Sequence, residues 1–128
     1  GDQAKFMDQV FAYKTLDVAA REGKPIKAEV QVITIGTDLA WVSTPGEVFV
    51  ALGLSIKAAS PFKQTHIIEL ANASIGYIPS RSAYAEGNYE VVSSRCAEGS
   101  GEILVTAAVR MLGELYSEAT PKTIADKP

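Results

Sequence analysis

The chain has 128 residues, of which 47% are hydrophobic and 21% charged, a balance that fits one globular domain and excludes a largely disordered chain. Its 12 Lys and Arg residues are outnumbered by 15 Asp and Glu, so we expect no nucleic-acid partner, because phosphate binding needs clustered basic residues. No apolar run approaches the roughly 20 residues that span a bilayer, so we expect no transmembrane segment.

The first third of the chain predicts a helix followed by a β-hairpin. Residues 2–21 carry apolar side chains at one-face helical spacing, and Gly23 and Pro25 end the pattern. The alternation of residues 28–33 and the apolar run of residues 39–42 predict two strands. Because a Gly-Thr-Asp turn separates them, we expect the two strands to pair as a hairpin.

The clearest helix start comes directly after the second strand. Thr44 suits the N-cap, Pro45 suits the first helical position, and Glu47 stands three residues after the cap, where it would complete a capping box. Residues 48–59 continue as an apolar helical stripe, and Pro61 ends it. On this pattern alone, Glu47 is a helix cap.

Beyond this helix, a strand is predicted at residues 65–70 and a last helix after the Gly-Ser-Gly of residues 99–101. Residues 71–94 show no regular pattern apart from a short helix predicted at residues 80–86. Long irregular stretches in compact domains are usually functional, so we expect residues 71–94 to contribute to any site.

Three amphipathic helices and three to four strands make α/β the predicted fold class, with α+β as the alternative. We expect a small mixed sheet with the helices packed on it. Residues 1–119 form the predicted domain, and residues 120–128 a frayed tail or linker.

Three further features contain residue types that can serve in catalysis or ligand binding, but each has a more ordinary structural explanation. His66, the one histidine, shares a strand face with Ile68, which favours a structural residue over a catalytic base. Cys96 stands beside Arg95, a cation that would lower a thiol pKa, but no second histidine is present to activate it. The glycines of residues 99–101 lack the lysine of a phosphate-binding loop, so a helix entry explains them better.

Glu47 and Tyr77 remain open between a structural and a functional role. Glu47 follows a turn at the end of a buried strand, where active groups of open α/β sheets are commonly placed, and Gly46 permits close backbone approach to a ligand. Tyr77 lies in the irregular stretch, where a packed aromatic is the ordinary role. One histidine and one cysteine make no internal zinc cluster, because a catalytic zinc takes three protein ligands.

These residues also carry a family resemblance. Residues 45–47, Pro-Gly-Glu, resemble a turn near the end of the catalytic domain of neutral/alkaline, non-lysosomal ceramidases. Residues 72–94 resemble, in order and spacing, that family's Asn-x-Tyr-x-x-Tyr stretch, its Glu-Tyr pair and its Tyr-Glu-x-x-Ser-Thr run. The sequence departs from these motifs at three positions, Ser74, Ser80 and Ala83, which puts the family's lipid substrate preference in doubt for this chain.

The resemblance implies the C-terminal part of a zinc-dependent amidase domain. In that family, zinc is held by two histidines from earlier in the domain, by the glutamate of Pro-Gly-Glu and by the second tyrosine. Glu47 and Tyr77 would therefore be metal ligands, and Asn72 and Ser74 would lie at the substrate. The implied reaction is hydrolysis of an N-acyl amide, such as the lipid ceramide, to a fatty acid and an amine.

The same resemblance implies that the upstream part of the domain is a partner, that the isolated chain is inactive, and that the parent is exported. The alternative function is a non-catalytic α/β module that binds ligands or forms homo-oligomers through exposed apolar faces. An exposed apolar face near Glu47 and Tyr77 is expected if part of the domain is missing.

Overall fold

The computed structural model describes residues 5–120, which form four helices, a three-stranded sheet and a separate pair of short strands. The helices are α1 (Phe6–Ala19), α2 (Val50–Ala59), α3 (Tyr89–Ser93) and α4 (Ser100–Ala119). The strands are β1 (Gln31–Ile35), β2 (Leu39–Ser43), β3 (Glu47–Val48), β4 (Gln64–Ile68) and β5 (Tyr77–Ile78). The fold is thus a mixed α+β arrangement around a small mixed sheet, which confirms the predicted class.

The three-stranded sheet has the order β1-β2-β4. β1 and β2 pair antiparallel, with Val32 opposite Val42, and the turn between them passes through Gly36 at a φ of 54°. The predicted hairpin is therefore confirmed. β2 and β4 pair in parallel, with Ala40 opposite Thr65, and α2 provides the crossover between them.

Helices α2 and α4 cover one face of this sheet. The core between them consists of buried residues from both layers, namely Ala40, Val42, Ile56, Phe62, Ala108 and Leu112. The rings of Phe62 and Tyr116 meet edge to face, with centroids 5.1 Å apart. The apolar stripes predicted for α2 and α4 thus face the sheet.

The opposite face of the sheet is open in the described part of the chain. Ile33 is 57% exposed, Ile35 62% and Ile68 45%. Trp41 and His66 lie in register with Ile33 across the three strands. We call this surface the open sheet face. A sheet face with several exposed apolar side chains is usually covered by another structural element or by a partner.

Helix α1 forms where the sequence predicted it but contributes no buried residue. Phe6 is 76% exposed and Leu16 65%, while Val10 and Phe11 are half-buried. The first residues of the predicted helix lie outside the described residues, as do residues 121–128 of the tail predicted at residues 120–128. No helix among the described residues is long and apolar enough to cross a membrane.

The helix start predicted at Thr44 was wrong. Residues Glu47–Val48 form strand β3, and α2 begins two residues after this strand, at Val50, with Phe49 as its N-cap. The Thr44 hydroxyl oxygen is buried and has no hydrogen-bond partner within residues 5–120, so it does not cap the helix. Glu47 is therefore not a capping-box residue.

Residues 71–94 contain more regular structure than their sequence suggested. Strand β5 lies in the first half of this stretch, and a 3-10 helix at Arg81–Ala85 matches the short helix predicted at residues 80–86. Helix α3 follows, five residues long. The strand predicted at residues 65–70 ends at Ile68, because Leu70 adopts a left-handed φ of 54°.

Candidate functional site

Backbone hydrogen bonds hold the segment after β2 against the chain that leads into β5. The Ile75 N–H donates to the Pro45 carbonyl at 2.8 Å, and the Glu47 N–H donates to the Gly76 carbonyl at 3.0 Å. These bonds join positions thirty residues apart in sequence, and they lead directly into the β3-β5 pair. The location of Glu47 is therefore fixed by the main chain.

Gly46 is required for this close approach. A Cβ atom at position 46 would lie 2.5 Å from the Gly76 carbonyl oxygen and 2.9 Å from the Ile78 side chain. Real Cβ atoms essentially never approach backbone so closely. The sequence suggested that Gly46 lets the backbone approach a ligand, and in the structure its close neighbour is the chain before β5.

Glu47 and Tyr77 lie directly opposite each other in the parallel β3-β5 pair. Their neighbours Val48 and Ile78 are buried, so strand alternation directs the Glu47 and Tyr77 side chains to the other, half-buried side. Strand pairing thus places the two side chains next to each other on one side of the β3-β5 pair, as residues serving one site must be.

The negative charge of Glu47 is the main influence on Tyr77. It raises the pKa of the Tyr77 phenol, and burial and the hydrogen bond to Glu47 raise it further. Smaller contributions come from Tyr89 and Glu90. In the protein alone, Tyr77 is therefore a neutral hydrogen-bond donor, and it would become an anionic ligand only beside a cation.

A row of aromatic rings connects this pair to helix α1. The Tyr77 and Tyr89 rings meet edge to face with centroids 6.1 Å apart, and Tyr89 meets Phe11 at the same distance. The Lys14 ammonium lies 5.8 Å from the centre of the Tyr89 ring. Tyr89 is 48% exposed, so one flank of the Glu47–Tyr77 pair is an accessible aromatic surface.

Ser94 links the strand that carries Tyr77 to the segment before α4. Its hydroxyl donates to the Tyr77 carbonyl at 3.0 Å and accepts from the Cys96 N–H at 3.0 Å. The Tyr84 hydroxyl donates to the Cys96 carbonyl at 2.7 Å. The sequence assigned no role to Ser94 or Tyr84, and their positions in the matched motif were the only signal for them.

Asn72 and Ser74, the candidate substrate-binding residues, both lie exposed in the loop between β4 and β5. Asn72 adopts a left-handed φ of 63°. Leu70 precedes them in the same loop, is 53% exposed, and donates its N–H to the Gly46 carbonyl at 3.3 Å. This loop therefore carries exposed polar and apolar groups next to the segment that leads into Glu47.

His66 and Cys96 lie elsewhere. His66 is exposed on the open sheet face opposite Trp41, on the three-stranded sheet rather than on the β3-β5 pair. Cys96 is half-buried, and burial raises its thiol pKa against the opposing effects of Ser94 and Arg21. Cys96 is thus a protonated thiol, the opposite of an activated nucleophile.

The Gly-Ser-Gly of residues 99–101 is a packing element at the start of α4. Gly99 has a φ of 87°, and a Cβ there would lie 2.6 Å from the Arg81 guanidinium. A Cβ at Gly101 would lie 2.9 Å from the Pro79 carbonyl oxygen. The interpretation as a helix entry is confirmed.

The donor chemistry of the Glu47–Tyr77 pair fits part of a divalent-metal site. A carboxylate and a phenol oxygen are both oxygen ligands, and the β3-β5 pairing places the two residues opposite each other. Within residues 5–120, no group of three or more His, Cys, Asp or Glu side chains could hold a metal ion. The described residues therefore supply two oxygen donors and not a complete site.

The fold is similar to that of solved ceramidases. The neutral ceramidase from Pseudomonas aeruginosa superposes with a TM-score of 0.62 at 25% sequence identity, and the match covers 77% of this chain and 17% of that one. A structure described as ceramidase complexed with C2 gives the same score and identity, covering 77% of this chain and 16% of that one.

No protein-family model matches the chain. No curated protein matches it either. The chain spans only 17% and 16% of the ceramidase chains that it resembles, so the similarity applies to one part of those proteins. Within these bounds, the chain has a ceramidase-like fold.

Proposed function

We propose that this chain is the C-terminal part of a ceramidase-like, zinc-dependent amidase domain that hydrolyses an N-acyl amide. The observation that carries the proposal is the direct pairing of Glu47 with Tyr77 across β3 and β5. The resemblance had selected these two residues as metal ligands from positions thirty apart in sequence. The similarity to ceramidase structures supports the same reading.

In this proposal Glu47 and Tyr77 hold the zinc ion, together with two histidines from the upstream part of the domain. When bound, zinc supplies a Lewis acid and lowers the pKa of a bound water toward about 7. The chain's own contribution is to position the two oxygen ligands. Asn72 and Ser74 in the adjacent loop contact the substrate.

A ceramide-like lipid amide is the proposed substrate, giving a fatty acid and an amine. The exposed ring of Tyr89, which contacts Tyr77, supplies apolar surface beside the pair, and Leu70 and Val50 are exposed apolar residues nearby in sequence. Ser74, where the family motif has tyrosine, removes one aromatic from this surface. We therefore propose the amide class of substrate, with a chain-length preference that differs from that of ceramidases.

The test compares the full-length protein that contains this chain with the isolated 128-residue chain. We expect stoichiometric zinc and hydrolysis of an N-acyl sphingosine in the full-length protein only. Glu47→Gln or Tyr77→Phe should each lower zinc occupancy or turnover by more than about tenfold, since even indirect partners of a metal cost that much.

Two matched variants control for the loss of a carboxylate or a phenol. Glu69→Gln removes an exposed carboxylate just after β4, and Tyr13→Phe removes an exposed phenol on α1. Both should retain zinc and turnover. A full-length protein that binds no metal, or that keeps zinc in the Glu47 and Tyr77 variants, would exclude the proposed site.

The alternative, a binding or oligomerisation module without catalysis, is favoured by one observation, the open sheet face with its exposed Ile33, Ile35 and Ile68. A second copy of the chain would pack on this face. The same full-length protein distinguishes the two functions, because a module would show neither zinc nor turnover.

A further inference from the structure

A cavity of about 760 Å³ lies on the opposite side of β5 from the Tyr77 side chain. Its walls are formed by the end of α1, the extended chain before β1, the segment before α4, and α4 itself. Ile78, whose side chain points away from the Glu47–Tyr77 side, lines it. The cavity is therefore separate from the proposed metal site, and nothing in the proposed function uses it.

The interior of this cavity is apolar. The side chains that line it include Ile26, Val30, Ile75, Ile78, Leu104 and Met111. Its volume falls within the range of about 300–1,000 Å³ that is usual for small-molecule pockets. Such a space can hold one hydrocarbon chain, and burial of that chain would supply most of the binding free energy.

The charged residues that line the cavity are all basic. They are Arg21, Lys24 and Arg95, and the lining contains no Asp or Glu. Asp17 stands just outside, with one carboxylate oxygen 2.9 Å from Arg95 Nε and 3.8 Å from Arg21 Nη2. One carboxylate thus balances two guanidinium groups, which leaves an excess of positive charge at one end of an apolar space.

The two arginines also have unused hydrogen-bonding capacity. The Nε atoms of Arg21 and Arg95 are buried and have no hydrogen-bond acceptor within residues 5–120. For Arg95 this holds despite the short ion-pair distance to Asp17, because that contact lacks hydrogen-bond geometry. A buried donor without an acceptor is costly, and an anionic group placed between the two arginines would satisfy both.

We propose that this cavity binds a single-tailed anionic amphiphile, with its carboxylate or equivalent anion between Arg21 and Arg95 and its hydrocarbon chain against α4. Ser100 and Cys96 also line the cavity. Val18 and Arg21 belong to α1 and the turn after it, so the ligand bridges α1 to α4. Binding would therefore anchor a helix that otherwise contributes no buried residue.

The test is calorimetric titration of the 128-residue chain with sodium dodecanoate below its micelle-forming concentration. We expect one saturable site per chain, and hydrogen-exchange protection of α1 when the site is filled. Dodecyltrimethylammonium, which has the same tail and the opposite charge, should bind at least about tenfold more weakly, because the guanidinium groups that attract a carboxylate repel a cation.

Three variants separate the headgroup from the tail. Arg21→Gln/Arg95→Gln should weaken dodecanoate about tenfold or more, whereas Lys57→Gln/Arg110→Gln, which removes two exposed cations away from the cavity, should change affinity less than about twofold. Ala107→Phe, which fills the cavity without changing charge, should abolish binding. Circular dichroism of each variant checks that it folds.

Several outcomes would overturn the proposal. These are the absence of saturable binding, equal affinity for the anionic and cationic amphiphiles, and unchanged affinity in the folded double-arginine or Ala107→Phe variant. Binding to phosphatidylglycerol vesicles without binding to free dodecanoate would also overturn it, because the ligand would then be a membrane surface. Zinc content and amidase activity of the full-length protein do not enter this test, so the two proposals fail independently.

Discussion

Glu47 and Tyr77 face each other across two parallel strands of only two residues each, and the charge of Glu47 raises the pKa of the Tyr77 phenol. Two such short strands have little stability of their own. The pairing persists because the segment before Glu47 is hydrogen-bonded to the loop before Tyr77. The loop between β4 and β5 is thus a structural support for the candidate site as well as part of it.

The close approach at Gly46 should be the most sensitive point of this support. Gly46→Ala should lower the free energy of unfolding by about 1–3 kcal/mol, because the new methyl group collides with the Gly76 carbonyl and Ile78. Gly113→Ala on α4 meets nothing within 4 Å and should instead raise it by about 0.5–1 kcal/mol. Urea denaturation of the two variants measures both effects, and equal behaviour would contradict the prediction.

Removing the Ser94 hydroxyl should loosen the link between β5 and the segment before α4. Ser94→Ala should cost about 1–3 kcal/mol of unfolding free energy, because the Tyr77 carbonyl and the Cys96 N–H both lose a partner. Ser117→Ala, at an exposed hydroxyl near the end of α4, is the control and should be within about 0.5 kcal/mol of the parent. Thermal denaturation compares them, and similar losses in both would argue against the link.

The half-buried thiol of Cys96 should make the free energy of unfolding depend on pH. Burial raises its thiol pKa in the folded state, so its contribution is fully present below the unfolded-state pKa and is lost as pH rises through the folded-state pKa. Stability should therefore fall more steeply above about pH 9 in the parent than in Cys96→Ala. Urea denaturation from pH 7 to 10 tests this, and parallel curves would contradict it.

The open sheet face should cause self-association at high protein concentration. Ile33→Thr/Ile35→Thr reduces its apolar surface while keeping β-branched residues that suit a strand, so the variant should remain monomeric at higher concentrations. Val50→Thr/Leu54→Thr, which changes two exposed apolar residues of α2, is the control. Light scattering across a concentration series gives the mass of each, and equal association would locate the contact elsewhere.

Local sequence patterns correctly predicted those elements whose formation depends on residues close together in the sequence. The hairpin and helices α1 and α4 formed where apolar spacing and turn residues placed them, and the short helix predicted at residues 80–86 formed as a 3-10 helix. The start of α2 was misplaced because Thr44-Pro45-Gly46-Glu47 satisfies the local preferences of a helix N-terminus. Pairing with Tyr77, thirty residues away, outweighed those preferences, and no local pattern reports such a contact.

The candidate site was predicted by a motif resemblance and not by local chemistry. Tyr77 on its own looked like an ordinary packed aromatic, and its proximity to Glu47 became visible only in the β3-β5 pair. The cavity beside α4 had no sequence signal, because residues 23–27 lack any periodic pattern and residues 23–30 form no regular element. Arg21 and Arg95 are separated by more than seventy residues, and folding brings both to Asp17.

The main-chain bonds that place Glu47 and Tyr77 use none of the atoms of their side chains. Substitutions at either position can therefore accumulate over evolution without loss of the fold, whereas Gly46 cannot change freely. Among descendants of such a domain, we expect inactive members that keep the glycine and the strand pair but have lost the acid or the phenol. In such a group of proteins, a glycine at position 46 would indicate common descent, and the side chains at positions 47 and 77 would indicate whether the proposed metal site is intact.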